Sequence, residues 1–456
     1  MFPSQGSRRF LFAHWEGGGN TPPVLAVVRR LAARGHEVRV IGDLCNLSEF
    51  ESAGASFVPW TRLPQRKEKS PVNDPIRDWE VTSPLVLLAR MRDRLFIGPA
   101  MSYAMDILDQ LASFPADAVV TSEMLLGAMV GAESAGVPCI ALSPNICFYP
   151  LPGVPPFGPG LLPATGLYGT VRDTLVRNVS LYVFGRGTAA FNLIRRRLGL
   201  PPLTHPLEQL ARVTRHLLLT SAAFDFPSSS LPSRIVYAGP ELEDPGWVEP
   251  WSSPWPECDS RPLILVGFST TFQNHKGVLH RTIQALSLLH VRAVVTLGPA
   301  LDSADLPWAS NVSICPSAPH NQLLSRASAV ITHAGHGTVI RALAAGVPCL
   351  CIPMGRDQND NAARVVARGA GLRLNPSASV RMIRNALLEL LKSSKYAENA
   401  KRLGMRIAGD ARNSSAVQII EEVADMSISS RQGGARKRSE KFSSQDLHSH
   451  LGPFER

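Results

Sequence analysis

Chemistry is concentrated in one short run, Ala329-Val330-Ile331-Thr332-His333-Ala334-Gly335-His336-Gly337-Thr338, which reads as a buried strand breaking into small residues just before a helix. Glycine there lets backbone approach a ligand, and a helix start offers unpaired N–H groups carrying about half a positive charge. The run is a seat for an anion. The loop Gly267-Phe268-Ser269-Thr270-Thr271, at the end of an earlier strand, supplies hydroxyls and amides to the same anion from the other side. After the next strand comes Pro353-Met354-Gly355-Arg356-Asp357-Gln358-Asn359-Asp360-Asn361, where Asp357 and Gln358 offer acceptors and donors suited to paired sugar hydroxyls. A diphosphate on one loop and a polyol on the next describe a nucleotide sugar. Taken singly the pieces have a plainer reading, because Gly and Asp occur in the capping loops of most α/β proteins and His333 and His336 can be structural.

Positioning such loops requires strands that end at one edge of a sheet. A strand over 10–14, the glycine turn Glu16-Gly17-Gly18-Gly19-Asn20, a helix over 22–34 and a strand over 37–41 make a βαβ unit, which forces a parallel, doubly covered sheet. The grammar returns as a strand at 117–121, a helix at 127–135 and a strand at 137–142. The Pro/Gly-rich stretch 150–163 interrupts it and reads as a lid or acceptor-side loop, or else as a surface excursion. Between 226 and 261 no period persists, which marks a linker. Beyond it come strands at 263–268, 293–297, 328–332 and 347–352, with helices at 278–290 and 338–345. The expected division is an N-terminal acceptor-binding domain over 1–225, the linker over 226–261, a nucleotide-sugar domain over 262–426, and a disordered basic tail over 427–456. Two α/β halves of this kind leave a cleft between the carboxyl ends of their strands.

Composition narrows the class. Hydrophobic residues at 45% and charged residues at 18% belong to a globular protein with large cores. The longest apolar stretches, such as 325–350, are broken by Arg, His and Gly before a membrane span is reached, and the N-terminus lacks a signal peptide's apolar core, so a cytoplasmic protein is expected. Seven scattered cysteines without a CxxC pair favour free thiols over a metal centre. The net charge of +10 is mostly dispersed, with Arg436-Lys437-Arg438 the only basic cluster of the tail; no nucleic-acid partner is expected, and the basic surface admits peripheral contact with an anionic membrane.

His320 and the run from Leu323 to Leu374 resemble the C-terminal signature of glycosyltransferase family 1, carried here by His333, Gly335, Gly337 and Thr338, by Arg341 to Pro348, and by Pro353, Asp357, Gln358, Asn361 and Ala362. The likeness extends to the Gly35-His36-Glu37-Val38 turn, the 132–138 run and the proline loop, which resembles bacterial members of the calicheamicin and macrolide type. It implies a GT-B fold of two Rossmann-like domains facing across a cleft. It also implies a UDP- or dTDP-sugar donor held at its diphosphate by His333, Gly335, His336, Gly337 and Thr338 with Ser269 and Thr270, at its hexose by Asp357 and Gln358, and at its base by backbone near Ala318. Neither metal nor cofactor is implied.

The implied reaction is an inverting displacement by an acceptor hydroxyl, which needs a base. The sequence departs from the family pattern here. Asn20 stands where a His is usual, and an amide accepts no proton at neutral pH; the usual Asp falls at Ser122 or Glu123. Glu123 is the first candidate base and His14 the second, with Asn20 expected to position the acceptor or cap the helix, as Thr21 also can. Methionine-rich stretches at 91–105 and 124–129 suit a hydrophobic natural product or lipid as acceptor, and equally a plain core. The alternatives are a nucleotide-sugar epimerase and a catalytically impaired nucleotide-sugar-binding partner protein.

Overall fold

The computed structural model describes residues 6–81, 83–244, 248, 250–268, 275–298 and 306–426. Two all-parallel sheets account for it. The first contains β1 (Arg9–Ala13), β2 (Glu37–Gly42), β3 (Ser56–Pro59), β4 (Ala118–Ser122), β5 (Cys139–Ser143), β6 (Arg215–Leu218) and β7 (Ile235–Tyr237), in spatial order β3-β2-β1-β4-β5-β6-β7. The second contains β8 (Leu263–Gly267), β9 (Arg292–Thr296), β10 (Val312–Cys315), β11 (Ala327–Thr332), β12 (Cys349–Cys351) and β13 (Gly371–Arg373), in order β10-β9-β8-β11-β12-β13. Each sheet is a doubly wound Rossmann-like arrangement whose order reverses between its first and fourth strands.

Parallel strands are covered on both faces, and their residues divide accordingly. In β1, Leu11 and Ala13 join one apolar cluster while Phe10 and Phe12 join another across the sheet. In the second sheet Leu263 and Leu265 face one cluster and Ile264 and Val266 the other. Register then aligns the strand ends: Ala13 pairs with Thr121, and Thr332 pairs with both Gly267 and Cys351. The loops that follow these residues are consequently neighbours at the carboxyl edges.

Two boundaries differ from the sequence reading. β7 lies within the expected linker and pairs with β6; three residues, Ile-Val-Tyr, are too short for a period to register. A helix over 416–426, expected in the second domain, instead lays Ala416, Val417, Ile420, Val423 and Ala424 onto the first sheet's cluster with Val24, Val27 and Val28. An ion pair from Arg8 to Asp425 and a contact between His36 Nε2 and Glu421 Oε1 at 2.9 Å hold it there. An apolar stripe tells that a helix has one buried face, without telling which sheet receives it. The expected basic tail, 427–456, lies outside the described residues.

Candidate active site

A cleft of about 1300 Å³ lies between the two strand edges, lined by the loops after β1, β4, β5, β11 and β12. On the second-domain side the chain leaves β11 through a tight turn. Thr332 Oγ1 accepts the Ala334 N–H at 3.2 Å, and Ala334 takes φ +70°, a left-handed conformation that costs a residue with a Cβ. The turn aims the helix His336–Ala344 into the cleft from Gly335, and among the described residues no side chain caps its first N–H groups. A Cβ on Gly335 would lie 2.4 Å from His333 Nε2, so only glycine lets that imidazole fold over the helix start. Uncapped amides at a helix start attract anions.

His333 is buried, and burial first, then the neighbouring His275, pushes its pKa down to about 3, so it presents a neutral imidazole stacked on Phe268. His336 is turned elsewhere: its Nε2 sits 2.8 Å from Thr220 Oγ1 of the first domain, and burial lowers its pKa to about 3. His336 nevertheless lines the cleft, while its ring bridges the domains. Gly337, Thr338 and the buried Ala318 line the cleft, as does His320, whose Nε2 is 3.1 Å from Thr296 Oγ1. Ser269 and Thr270 lie outside the described residues.

Asp357 and Gln358 also line the cleft. Burial raises the Asp357 pKa against the side chains of Asn145 and Asn361, and Asn361 Nδ2 donates to Asp357 Oδ2 at 2.6 Å and to the Ala334 carbonyl at 3.1 Å. Asn361 thereby ties the two loops together. Gln358 Oε1 accepts from the amides of Met354 and Gly355 at 2.8 and 3.2 Å, so that oxygen braces its own loop.

Across the cleft the glycine loop is closed from within. Asn20 Oδ1 accepts the Gly17 N–H at 3.0 Å and Asn20 Nδ2 donates to the Trp15 carbonyl at 3.0 Å. Neither Asn20 nor Thr21 caps the helix Thr21–Ala33 through its side chain, so of the two expected roles of Asn20 the capping one is not found. His14 is buried against Phe50 with Nε2 3.0 Å from Thr21 Oγ1; burial lowers its pKa to about 4, and it does not line the cleft. A base must reach the acceptor, and His14 does not.

Glu123 does reach the cleft, and its surroundings are not those of a solvated loop carboxylate. It is 3% exposed, with Oε2 3.1 Å from His216 Nε2, which is itself 3.0 Å from Ser143 Oγ. Oε1 has no partner among the described residues. Between the halves, aromatic and aliphatic side chains including Trp79, Leu88, Met91, Phe96, Met124, Phe148 and Phe184 make an apolar wall, whereas Met129 is core.

Sequence reasoning missed the residues that close the cleft. Arg356, at φ +53°, sends a bidentate pair to Asp78 at 2.6 and 3.0 Å and reaches Asp74 and the Gly17 carbonyl at 3.4 Å. Asp360 accepts the Gly158 and Gly160 N–H groups at 2.6 and 3.1 Å, pinning the proline loop to the second domain; burial lifts its pKa to about 6. That loop lines the cleft from 154 to 159. No local signal marks Arg356, since its positive φ is not announced by an Arg-Asp pair.

Residues 306–411 match the family model for UDP-glucoronosyl and UDP-glucosyl transferase. The chain is 31% identical over 427 residues to 4'-demethylrebeccamycin synthase of Lentzea aerocolonigenes, covering 91% of this chain and 99% of the relative. It is 27% identical to O-mycaminosyltylonolide 6-deoxyallosyltransferase of Streptomyces fradiae, over 89% and 95% of the two chains. In fold it is similar to a crystal structure of a calicheamicin glycosyltransferase, with TM-score 0.72 and 22% identity over 92% and 98% of the chains. It is also similar to the glycosyltransferase VinC in complex with dTDP, with TM-score 0.61 and 18% identity over 92% and 100%. Twin doubly wound sheets, an uncapped helix start at the cleft and full-length likeness converge: the chain belongs to glycosyltransferase family 1 and is a GT-B glycosyltransferase of the natural-product type.

Proposed function

We propose that the protein moves a hexose, with inversion, from a UDP- or dTDP-sugar to a hydroxyl of a hydrophobic small molecule, with Glu123 as the base. The observation that carries this reading is the Glu123 carboxylate, buried in the cleft wall, fixed on one oxygen by His216 and with no partner among the described residues on the other. The acceptor hydroxyl gives its proton to Glu123 Oε1 as its oxygen bonds to the anomeric carbon. The bond from that carbon to the β-phosphate oxygen breaks with its electrons. The departing diphosphate meets the amides of residues 336–338, the Thr338 hydroxyl and the neutral His333 as a hydrogen-bond donor. Ser269 and Thr270 assist, Asp357 and Gln358 hold hexose hydroxyls, and backbone at Ala318 holds the base. In this reading the helix start carries the leaving-group charge, with no metal required. The apolar wall favours a hydrophobic acceptor, and the dTDP complex of a structural neighbour supports a thymidine donor beside uridine.

Asn20 favours one competing reading, a donor-binding protein without catalysis, because its amide is consumed within the glycine loop. Calorimetry with UDP-glucose and dTDP-glucose, followed by transfer to an aromatic acceptor panel, separates the two. Donor binding with turnover that collapses in Glu123→Gln supports the enzyme; donor binding with no turnover by the parent supports the binding protein.

A further inference from the structure

The helix Gly166–Gly185 turns Gly169, Asp173 and Phe184 inward and leaves an apolar face outward. Leu167, Tyr168, Val171, Leu175, Val179 and Tyr182 are exposed, from 37% at Val179 to 86% at Tyr168. Four of them recur at every fourth position, so they share one stripe, with a tyrosine near each end. The helix Pro84–Met91, packed alongside, adds exposed Leu85 and Val86. Soluble surfaces rarely leave so continuous an apolar patch uncovered.

Its surroundings are basic. Over 161–200 the sequence contains six arginines and a single acid, Asp173, which is buried and paired with Arg172. Arg186, one turn beyond Tyr182 on the same stripe, and Arg196 and Arg197 on the following helix are exposed and meet no acidic partner among the described residues. An apolar stripe with tyrosines at its ends and arginines at its margin matches the chemistry of an anionic bilayer surface: acyl chains, interface and headgroup phosphate in turn.

We propose that this face docks the protein on an anionic lipid membrane. A second copy of the chain is a poorer occupant, since it would bring two arginine margins together. Leu85, Leu175 and Val179 also line the cleft, so the patch runs to the cleft mouth. Docked this way, the mouth opens where apolar molecules partition. That last step rests on the acceptor reading above, whereas the docking does not, and its test needs no turnover.

The test is flotation of the full chain with vesicles of phosphatidylglycerol and phosphatidylcholine, compared with phosphatidylcholine alone. At least about tenfold more protein is expected on the anionic vesicles at low salt, falling as salt rises. The variant Leu167→Gln/Val171→Gln/Tyr182→Gln, which alters exposed positions away from the cleft, and Arg186→Glu/Arg196→Glu/Arg197→Glu should each lose that excess with an unchanged melting temperature. Equal binding to neutral vesicles, or no flotation at low salt, overturns the proposal. So does a concentration-dependent dimer in sedimentation velocity that the apolar variant abolishes without any effect on vesicles.

Discussion

Replacing His216 by Leu tests whether Glu123 acts as a held base. His216 Nδ1 is buried without a partner among the described residues. A bare lone pair there costs less than a buried N–H lacking an acceptor, so the proton belongs on Nε2. Nε2–H then lies between Glu123 Oε2 at 3.1 Å and Ser143 Oγ at 3.0 Å. A hydrogen bond to a charged group contributes about 1.5–3 kcal/mol. If that energy holds the carboxylate in its productive orientation, losing it lowers kcat roughly 10- to 150-fold. Glu123→Gln removes the base itself and should cost about 10²- to 10⁴-fold. Steady-state transfer assays with calorimetric donor binding on the same samples give the readout. Donor Kd should stay within about twofold in both variants, since neither side chain belongs to the second-domain loops. His216→Gln, which restores an N–H donor, should recover part of the loss. Transfer within threefold of the parent in both His216→Leu and Glu123→Gln would refute this account of the base.

Four further outcomes follow from the geometry. Asn20→Ala should loosen the glycine loop, lowering stability by about 1–2 kcal/mol in urea unfolding while transfer persists, which a role as proton acceptor would forbid. Gly335→Ala forces the His333 ring aside and should weaken donor binding at least about tenfold by calorimetry, with the circular dichroism spectrum unchanged. Arg356→Ala takes the guanidinium away from the buried carboxylates of Asp78 and Asp74, although Asp74 keeps Arg66 at 4.0 Å and the Ile76 and Arg77 N–H groups, and should destabilise by up to about 3–5 kcal/mol, read as a lower urea midpoint. Acid should unfold the protein early: His14, His275, His320, His333 and His336 are lowered from 6.5 to about 3–4, so the unfolded chain binds more protons and stability present above pH 6.5 is lost toward pH 3–4. Asp43 and Asp360, raised to about 6, oppose this with the reverse sign between pH 6 and 4, but two groups against five leave a net loss of stability at pH 5. A melting temperature equal at pH 7.5 and 5 would contradict that sum.

The strands and helices flanking the cleft were legible in order and nearly to the residue. The expected helix over 338–345 is His336–Ala344, and the expected strand over 328–332 is Ala327–Thr332. Such elements announce themselves because burial on two faces makes a strand continuously apolar and burial on one makes a helix periodic. Exposure of polar groups was less legible. Glu123 reads as a loop carboxylate, His14 as a side chain at a strand end, and the pattern of neighbours along the chain does not tell which one turns into the cleft.

What the sequence by itself determined is local: two βα series, a glycine-framed helix start after β11, and an acid-amide pair after β12. Their physics acts over a few bonds, through φ preferences, strand period and helix-end amides. What only the tertiary structure decided is long-range. His216 meets Glu123 from 93 positions away, Arg356 meets Asp78 from 278, and Glu421 reaches His36 from 385. Buried polar groups must find partners wherever folding brings them, and no periodicity in the chain encodes which distant group that will be.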